Sequence, residues 1–266
     1  MHNLLICFKG GFFIKKIVIF LTMLFVFLST NIQAEAKINQ NNFEIVSLEN
    51  NIKFLVYVPE SYELNNFNYP AILYLHGAGE RGNNIEKLMN VSLPKYINED
   101  LLNPECIIII PQCPQSTTWT YFTNELDMII KYSLSEFRID KQNINITGHS
   151  LGANGCISYA IHNPIFKNIA PLSIGNIPEQ FDLNILKKSN IYLYHGDKDL
   201  TKTNHYTFST HLYDKLSSLN CNTELIIVPN KTHALTDIYI NENYNIINLL
   251  INYPDCKARI GIHCLW

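Results

Sequence analysis

Gly148-His149-Ser150-Leu151-Gly152 sets a hydroxyl at the centre of a Gly-x-Ser-x-Gly pattern. The chemistry that such a serine can do is nucleophilic attack on an acyl carbon. A serine hydroxyl attacks poorly while it holds its proton, so a base must take that proton. The base in turn needs a carboxylate that fixes its tautomer and stabilises its charged form. His233, in Pro229-Asn230-Lys231-Thr232-His233, follows a strand-like run and is the candidate base. The other histidines fit less well. His149 adjoins the serine and is expected to point elsewhere. His205 and His211 suit a solvated helix face. His162 suits the C-terminal dipole of a helix, and His263 lies in the tail. A glycine-rich turn with an inert serine is the alternative reading of the pentapeptide.

The carboxylate is sought in His195-Gly196-Asp197-Lys198-Asp199. Asp199 is the candidate. Asp197 reads as a turn former that bonds its own backbone. The chain order is then Ser150, Asp199, His233, which is the order of the α/β-hydrolase architecture. Developing negative charge on an attacked carbonyl needs N–H donors. Leu151, just after the nucleophile, offers one. The loop His76-Gly77-Ala78-Gly79-Glu80-Arg81-Gly82 offers another, with Ala78 as the candidate donor and Gly79 as runner-up. A phosphate-binding loop is excluded, because no Gly-Lys-Ser/Thr follows. No Cys-x-x-Cys or equivalent histidine pair occurs, so no metal site and no cofactor are expected.

These residues need strands that end where they begin. Residues 71–75 and 106–110 are continuous apolar runs, the latter with four isoleucines in succession. Runs apolar on both faces suit buried parallel strands. Further strands are expected over 144–147, 169–174, 191–194 and 224–228. Helices are expected over 125–137, 151–161, 206–219 and 241–251. Residues 43–48 and 53–59 read as a hairpin joined by Glu49-Asn50-Asn51. Strand alternating with helix implies an α/β fold with a mostly parallel sheet covered on both faces. The Asn-rich stretches 39–42 and 65–66 read as surface loops.

With 266 residues, 47% hydrophobic and 16% charged, the chain can build one ordinary core. Its net charge of −3 and its lack of a basic cluster after residue 16 exclude nucleic acid as an expected partner. Lys9, Lys15 and Lys16 precede an apolar run over 17–28, and small residues follow at Ala34 and Ala36. That order predicts a signal peptide over 1–36 and a catalytic domain over 37–266. The apolar run is short for a membrane span. Export to a secreted or periplasmic location without stable membrane association is therefore expected. Cys106, Cys113, Cys156, Cys221, Cys256 and Cys264 would then meet an oxidising compartment. Cys256 with Cys264 is the expected pair.

Taken in order, Leu75–Gly82, Pro111-Gln112-Cys113-Pro114 with Trp119, Gly148–Gly152 and His195–Asp199 resemble one family. It is the secreted esterase group of the α/β-hydrolase superfamily, similar to polyhydroxybutyrate depolymerases, feruloyl esterases and carboxylesterase/phospholipase-type proteins. Some members carry the label "predicted peptidase". The resemblance spans about residues 43–252. It implies that Ser150, Asp199 and His233 form the triad, and that Ala78 and Leu151 bind the oxyanion. It also implies that Trp119 lies near the mouth of the site with Gly79 and meets substrate there. Two departures stand out: Thr232 where members carry Gly, and Leu200-Thr201-Lys202 where members carry Val-Pro soon after the aspartate. Caps in this fold often fall in the interval here numbered 175–190, which is too short for several helices. An open site for small or polymer-borne esters follows. Glu80 and Arg81 are expected to pair and order their loop; binding an acidic or sugar substrate is the alternative. A serine peptidase acting on short peptides and a non-catalytic binding protein are the competing functions.

Overall fold

The computed structural model describes residues 36–251 apart from Asn41, together with Ile32 and Ala34. Apart from Ile32, Ala34 and Ala36, the segment read as a signal lies outside the described residues, as do Cys256, Cys264 and His263. The described residues from Ala34 onward form one compact unit.

Nine strands make one sheet: β1 (Ala36–Gln40), β2 (Phe43–Leu48), β3 (Ile52–Tyr57), β4 (Tyr69–Leu75), β5 (Ile107–Pro111), β6 (Ile139–His149), β7 (Asn168–Leu172), β8 (Asn190–Gly196) and β9 (Asn222–Val228). Their spatial order is β1-β2-β3-β5-β4-β6-β7-β8-β9. The first four in that order pair antiparallel, and every later pair is parallel. Among the described residues five α-helices accompany them: α1 (Ser92–Asn98), α2 (Thr123–Glu136), α3 (Leu151–His162), α4 (Thr207–Ser218) and α5 (Ile246–Ile251).

The isoleucines of β5 explain its central place. All five of its residues are buried, as are all seven of β4. Ile72, Tyr74, Ile108 and Ile110 face one layer, where Leu93 and Ile97 of α1 and Ile246, Ile247 and Leu250 of α5 cover them. On the other face α2, α3 and α4 pack against the strands. This is the α/β-hydrolase arrangement. Between β7 and β8 stands only a short 3₁₀ turn, Leu183–Lys188, and no helical cap.

Some boundaries moved for local reasons. Asn39 is part of β1 rather than a loop, with the strand completed by pairing to β2. The helix expected over 241–251 begins only at Ile246. The Asn241 side chain accepts from the Asn243 N–H, and Asn245 takes a positive φ of 42°, so the asparagines hold a turn instead. Helix α1 gave no periodic signal, being seven residues long with Pro94 in its first turn.

Candidate active site

The parallel strands all end at one edge, and the chemistry-bearing residues follow those ends. Ala78 comes three residues after β4, Ser150 one after β6, Asp199 three after β8, and His233 five after β9. Leu75 pairs with Gly148, so the first two loops rise side by side.

Ser150 adopts φ 56° and ψ −114°, a sparsely populated conformation for a residue with a side chain. Close packing enforces it. A Cβ on Gly148 would lie 2.5 Å from the Leu75 carbonyl oxygen, and one on Gly152 would overlap that same oxygen. The Ser150 N–H donates to the Leu172 carbonyl at 2.9 Å, which pins the turn to β7.

Ser150 Oγ lies 2.8 Å from His233 Nε2, and His233 Nδ1 lies 2.7 Å from Asp199 Oδ2. The aspartate is fully buried. Burial alone would raise its pKa. Hydrogen bonds from His233 and from both the N–H and hydroxyl of Thr201 outweigh that and hold it below the ordinary carboxylate value. A buried carboxylate beside His233 Nδ1 fixes the proton there and leaves Nε2 free to accept from the serine. Asp197 is exposed and makes no such contact; its N–H donates across to the Val228 carbonyl at the end of β9.

Leu151 is the first residue of α3, where the helix offers its N–H no acceptor. Ala78 and Gly79 are exposed in the 3₁₀ turn Ala78–Glu80. A Cβ on Gly79 would meet nothing within 4 Å, so no packing demand accounts for that glycine.

Below this loop the placement of Trp119 differs from expectation. It is fully buried rather than at the mouth. Its indole N–H donates to the His76 carbonyl at 2.9 Å, its ring meets His76 edge to face, and Gly155 of α3 lies against it. Trp119 therefore braces the loop that begins at His76 from behind and has no surface for substrate. His76 completes the brace. Its Nε2 accepts from the Cys113 N–H and its Nδ1–H donates to the Gly77 carbonyl. Burial first, then the nearby Arg81 charge, lowers its pKa to about 4, against the opposing pull of the Gly77 carbonyl. The imidazole is thus held neutral. Glu80 and Arg81 do not pair with each other. Arg81 donates to the Ala78 and Thr117 carbonyls, and Glu80 Oε2 lies 4.0 Å from His76 Nδ1.

Four contributors escaped the sequence reading. His149 Nε2 lies 2.7 Å from the His233 carbonyl oxygen, so it faces the base rather than pointing elsewhere. Ser173 donates to the same oxygen at 3.2 Å. His195 and Thr201 both reach Asp199. Two of them left a trace in the sequence: His195 opens the family motif His195–Asp199, and Thr201 stands in the departure that follows it. Of the remaining histidines, His162 pairs with Asp127 at 2.8 Å and His205 with Thr207. The four described cysteines are buried and free. Among the described residues no group of three His, Cys, Asp or Glu side chains is placed to hold a metal ion.

The family model described as "Putative esterase" matches residues 45–178. No curated protein sequence matches the chain. Among solved structures, a thermostable esterase is 23% identical with a TM-score of 0.62, over 84% of this chain and 62% of that one. The chain thus spans about three fifths of that esterase's length. A CE1 ferulic acid esterase from Anaeromyces mucronatus is 18% identical with a TM-score of 0.56, over 81% of this chain and 89% of that one. Dipeptidyl peptidase 4 from Porphyromonas gingivalis is 12% identical with a TM-score of 0.58, over 83% of this chain and 36% of that one. At these identities the likeness is one of fold.

Proposed function

The chain belongs to the esterase family, and from that premise we propose that it hydrolyses carboxylic esters through an acyl-Ser150 intermediate. The observation that carries the proposal is the unbroken relay from Ser150 Oγ through His233 to Asp199, with contacts of 2.8 and 2.7 Å. In this reading His233 Nε2 takes the hydroxyl proton as Oγ bonds to the ester carbon. The Leu151 and Ala78 N–H groups receive the carbonyl oxygen as it becomes negative. Collapse breaks the carbon–oxygen bond to the alcohol, which leaves with the proton that His233 returns. Water then repeats the sequence on the acyl-serine and releases the acid. Asp199 keeps its charge throughout and stabilises the imidazolium.

The substrate side is open, with one 3₁₀ turn where a cap would stand. That supports small esters or esters carried on a polymer. Export is part of the same reading. It rests on the order of lysines, apolar run and small residues before residue 37. Cleavage after Ala34 would leave β1 whole, whereas cleavage after Ala36 would remove its first residue.

A fluorophosphonate followed by peptide mass spectrometry tests the chemistry. The expected adduct is on Ser150, with Ser150→Ala unlabelled and inactive. An adduct elsewhere, or full esterase activity in Ser150→Ala, would overturn the proposal. N-terminal sequencing of the exported protein tests the signal, and an intact Met1 would refute it.

A further inference from the structure

The backbone carbonyl of His233 is gripped from two sides. His149 Nε2 approaches it at 2.7 Å and the Ser173 hydroxyl at 3.2 Å. A carbonyl only accepts, so His149 carries its proton on Nε2 and donates. The two imidazoles lie against each other with centroids 4.9 Å apart and planes tilted by 46°. From its other side His149 meets the oxyanion loop: a Cβ on Gly77 would lie 3.6 Å from His149 Nδ1 and 3.6 Å from its carbonyl oxygen. One ring therefore touches the loop of the base, the loop of the oxyanion donors and, through its own backbone, the nucleophile.

We propose that His149 is a positioning residue for this reaction, a neutral clamp that holds the His233 backbone so that Nε2 stays within reach of Ser150 Oγ. The need for a clamp follows from where His233 sits. It lies beyond β9, in a stretch from Pro229 to Leu235 without regular structure, and its side chain is half-exposed. Its side-chain bonds to Ser150 and Asp199 fix the ring only if the backbone beneath is fixed. The nucleophile is set by steric packing in the elbow. The residues just before the base pack against Gly196, where a Cβ would lie 2.2 Å from the Lys231 carbonyl oxygen and 2.7 Å from that of Thr232. The hydrogen bond from the residue adjoining the nucleophile fixes the carbonyl of the base itself.

The clamp must keep one protonation state to serve as a donor without adding charge. Burial first, and the neighbouring His233 and His195, lower the His149 pKa to about 4, against the His233 carbonyl and the Asp199 carboxylate. At neutral pH it is an uncharged N–H donor. A cationic neighbour would disfavour the imidazolium that His233 forms in the transition state, so the burial of His149 matters as much as its reach.

The inference rests on His233 acting as the base, and the experiment separates the two. Steady-state kinetics on a small chromogenic ester are compared for wild type, His149→Phe, His149→Gln, Ser173→Ala and His233→Ala. Phenylalanine keeps the ring's volume and loses the donor; glutamine keeps an N–H donor at similar reach. His149→Phe is expected to lower kcat about 10- to 100-fold, as a misplacement of about 1 Å does, with KM within about twofold. His149→Gln is expected to recover most of the lost kcat, and Ser173→Ala to show a smaller fall of the same kind. If phenylalanine prevents folding, His149→Ala takes its place against His149→Gln. A phenylalanine variant as active as wild type, or donor-bearing and donor-less variants that are equally impaired, would overturn the clamp. Activity retained in His233→Ala would instead refute the base itself.

Discussion

His195 Nε2 lies 3.1 Å from Asp199 Oδ2, the same oxygen that His233 Nδ1 approaches at 2.7 Å. Two imidazoles thus share one carboxylate oxygen, while Thr201 supplies two donors to the other. His195 Nε2 also faces the Asn204 carbonyl at 2.9 Å, so that nitrogen carries the proton and Nδ1 accepts from the Ser209 hydroxyl at 2.6 Å. Burial lowers the His195 pKa despite the Asn204 carbonyl and the Asp199 carboxylate, so it acts as a neutral donor. The chain Ser209–His195–Asp199–His233–Ser150 runs from the middle of the domain to its surface. Its inner half keeps a fully buried charge satisfied and correctly aimed.

Removing the inner donor should therefore be felt at the outer end. A hydrogen bond to a charged group is worth about 1.5–3 kcal/mol, or about 10- to 100-fold in rate where the transition state feels all of it. His195→Phe is expected to lower kcat by up to that amount and to lower Tm as well, because the Ser209 hydroxyl and the Asn204 carbonyl lose a partner. Kinetics and thermal melts of the same preparation check this. A variant with wild-type kcat would show that Thr201 and His233 hold Asp199 unaided.

Asp199→Asn should cripple the enzyme, while Asp197→Asn should not. The amide that replaces the carboxylate offers an N–H donor to His233 Nδ1 and so favours the wrong imidazole tautomer. The expected loss in kcat is about 10⁴-fold, by analogy with the serine proteases. Asp197 is exposed and lacks contact with His233, so its variant should stay near wild type. Parallel kinetics on the two variants decide, and the reverse ranking would reassign the carboxylate.

Acid should destabilise the fold before it protonates the carboxylates. His76 and His149 have pKa values lowered to about 4 in the folded chain, against about 6.5 unfolded. Between those values the unfolded state binds more protons, so stability falls as pH drops from about 6.5 towards 4. Each histidine contributes on the order of 3 kcal/mol to that loss, at about 1.4 kcal/mol per pKa unit. Urea melts at pH 7, 5.5 and 4.5 measure the slope. Because His195 is also lowered by burial and adds to the slope, His149→Gln should flatten it by somewhat less than half, and an unchanged slope would show that His149 is not held neutral by the fold.

The legible part of the sequence was the part governed by steric rules and apolar runs. Gly148 and Gly152 announced the elbow because nothing larger fits against Leu75. The isoleucines of β5 announced a buried strand. The order Ser150, Asp199, His233 let three distant residues be grouped before any coordinates. What stayed hidden was polar and non-local. Trp119 looked like a binding-site aromatic, and only tertiary contacts show its N–H spent on the His76 carbonyl. His149 and His195 make contacts that depend on loops from other strands, for which local sequence carries no period. Strand β1 has only Ala36 and Ile38 as alternating apolar residues, too short a pattern to announce a strand, and it pairs along its whole length with β2.

A ladder of asparagines, buried at Asn145 and Asn168, shows the same limit and gives the last prediction. Asn145, Asn168, Asn190 and Asn222 stand at neighbouring positions on β6, β7, β8 and β9. Each side-chain amide donates to the carbonyl of the preceding strand's asparagine: Asn168 to Asn145 at 2.9 Å, Asn190 to Asn168 at 2.7 Å, and Asn222 to Asn190 at 2.6 Å. Asn168 also donates to the Leu250 carbonyl at 2.6 Å, which ties α5 to the sheet. It is 1% exposed, so water cannot replace those partners. Asn168→Ala leaves the Asn145 oxygen, the Leu250 carbonyl and the Asn190 amide unpaired at once. Each orphaned group costs about 1–3 kcal/mol, and relaxation at the more exposed Asn190 makes the low end apt for it. A loss of about 3–5 kcal/mol in unfolding free energy is expected. Asn168, Asn190 and Asn222 open β7, β8 and β9, and Asn145 lies four residues before the end of β6, whereas Ser150, Asp199 and His233 follow the strand ends, so kcat of the folded fraction should stay within about twofold. Urea melts with activity measured well below the unfolding midpoint test both halves. A stability loss under 1 kcal/mol would show that the ladder is not under tension with the core, and a large fall in kcat would show that the two edges of the sheet are coupled.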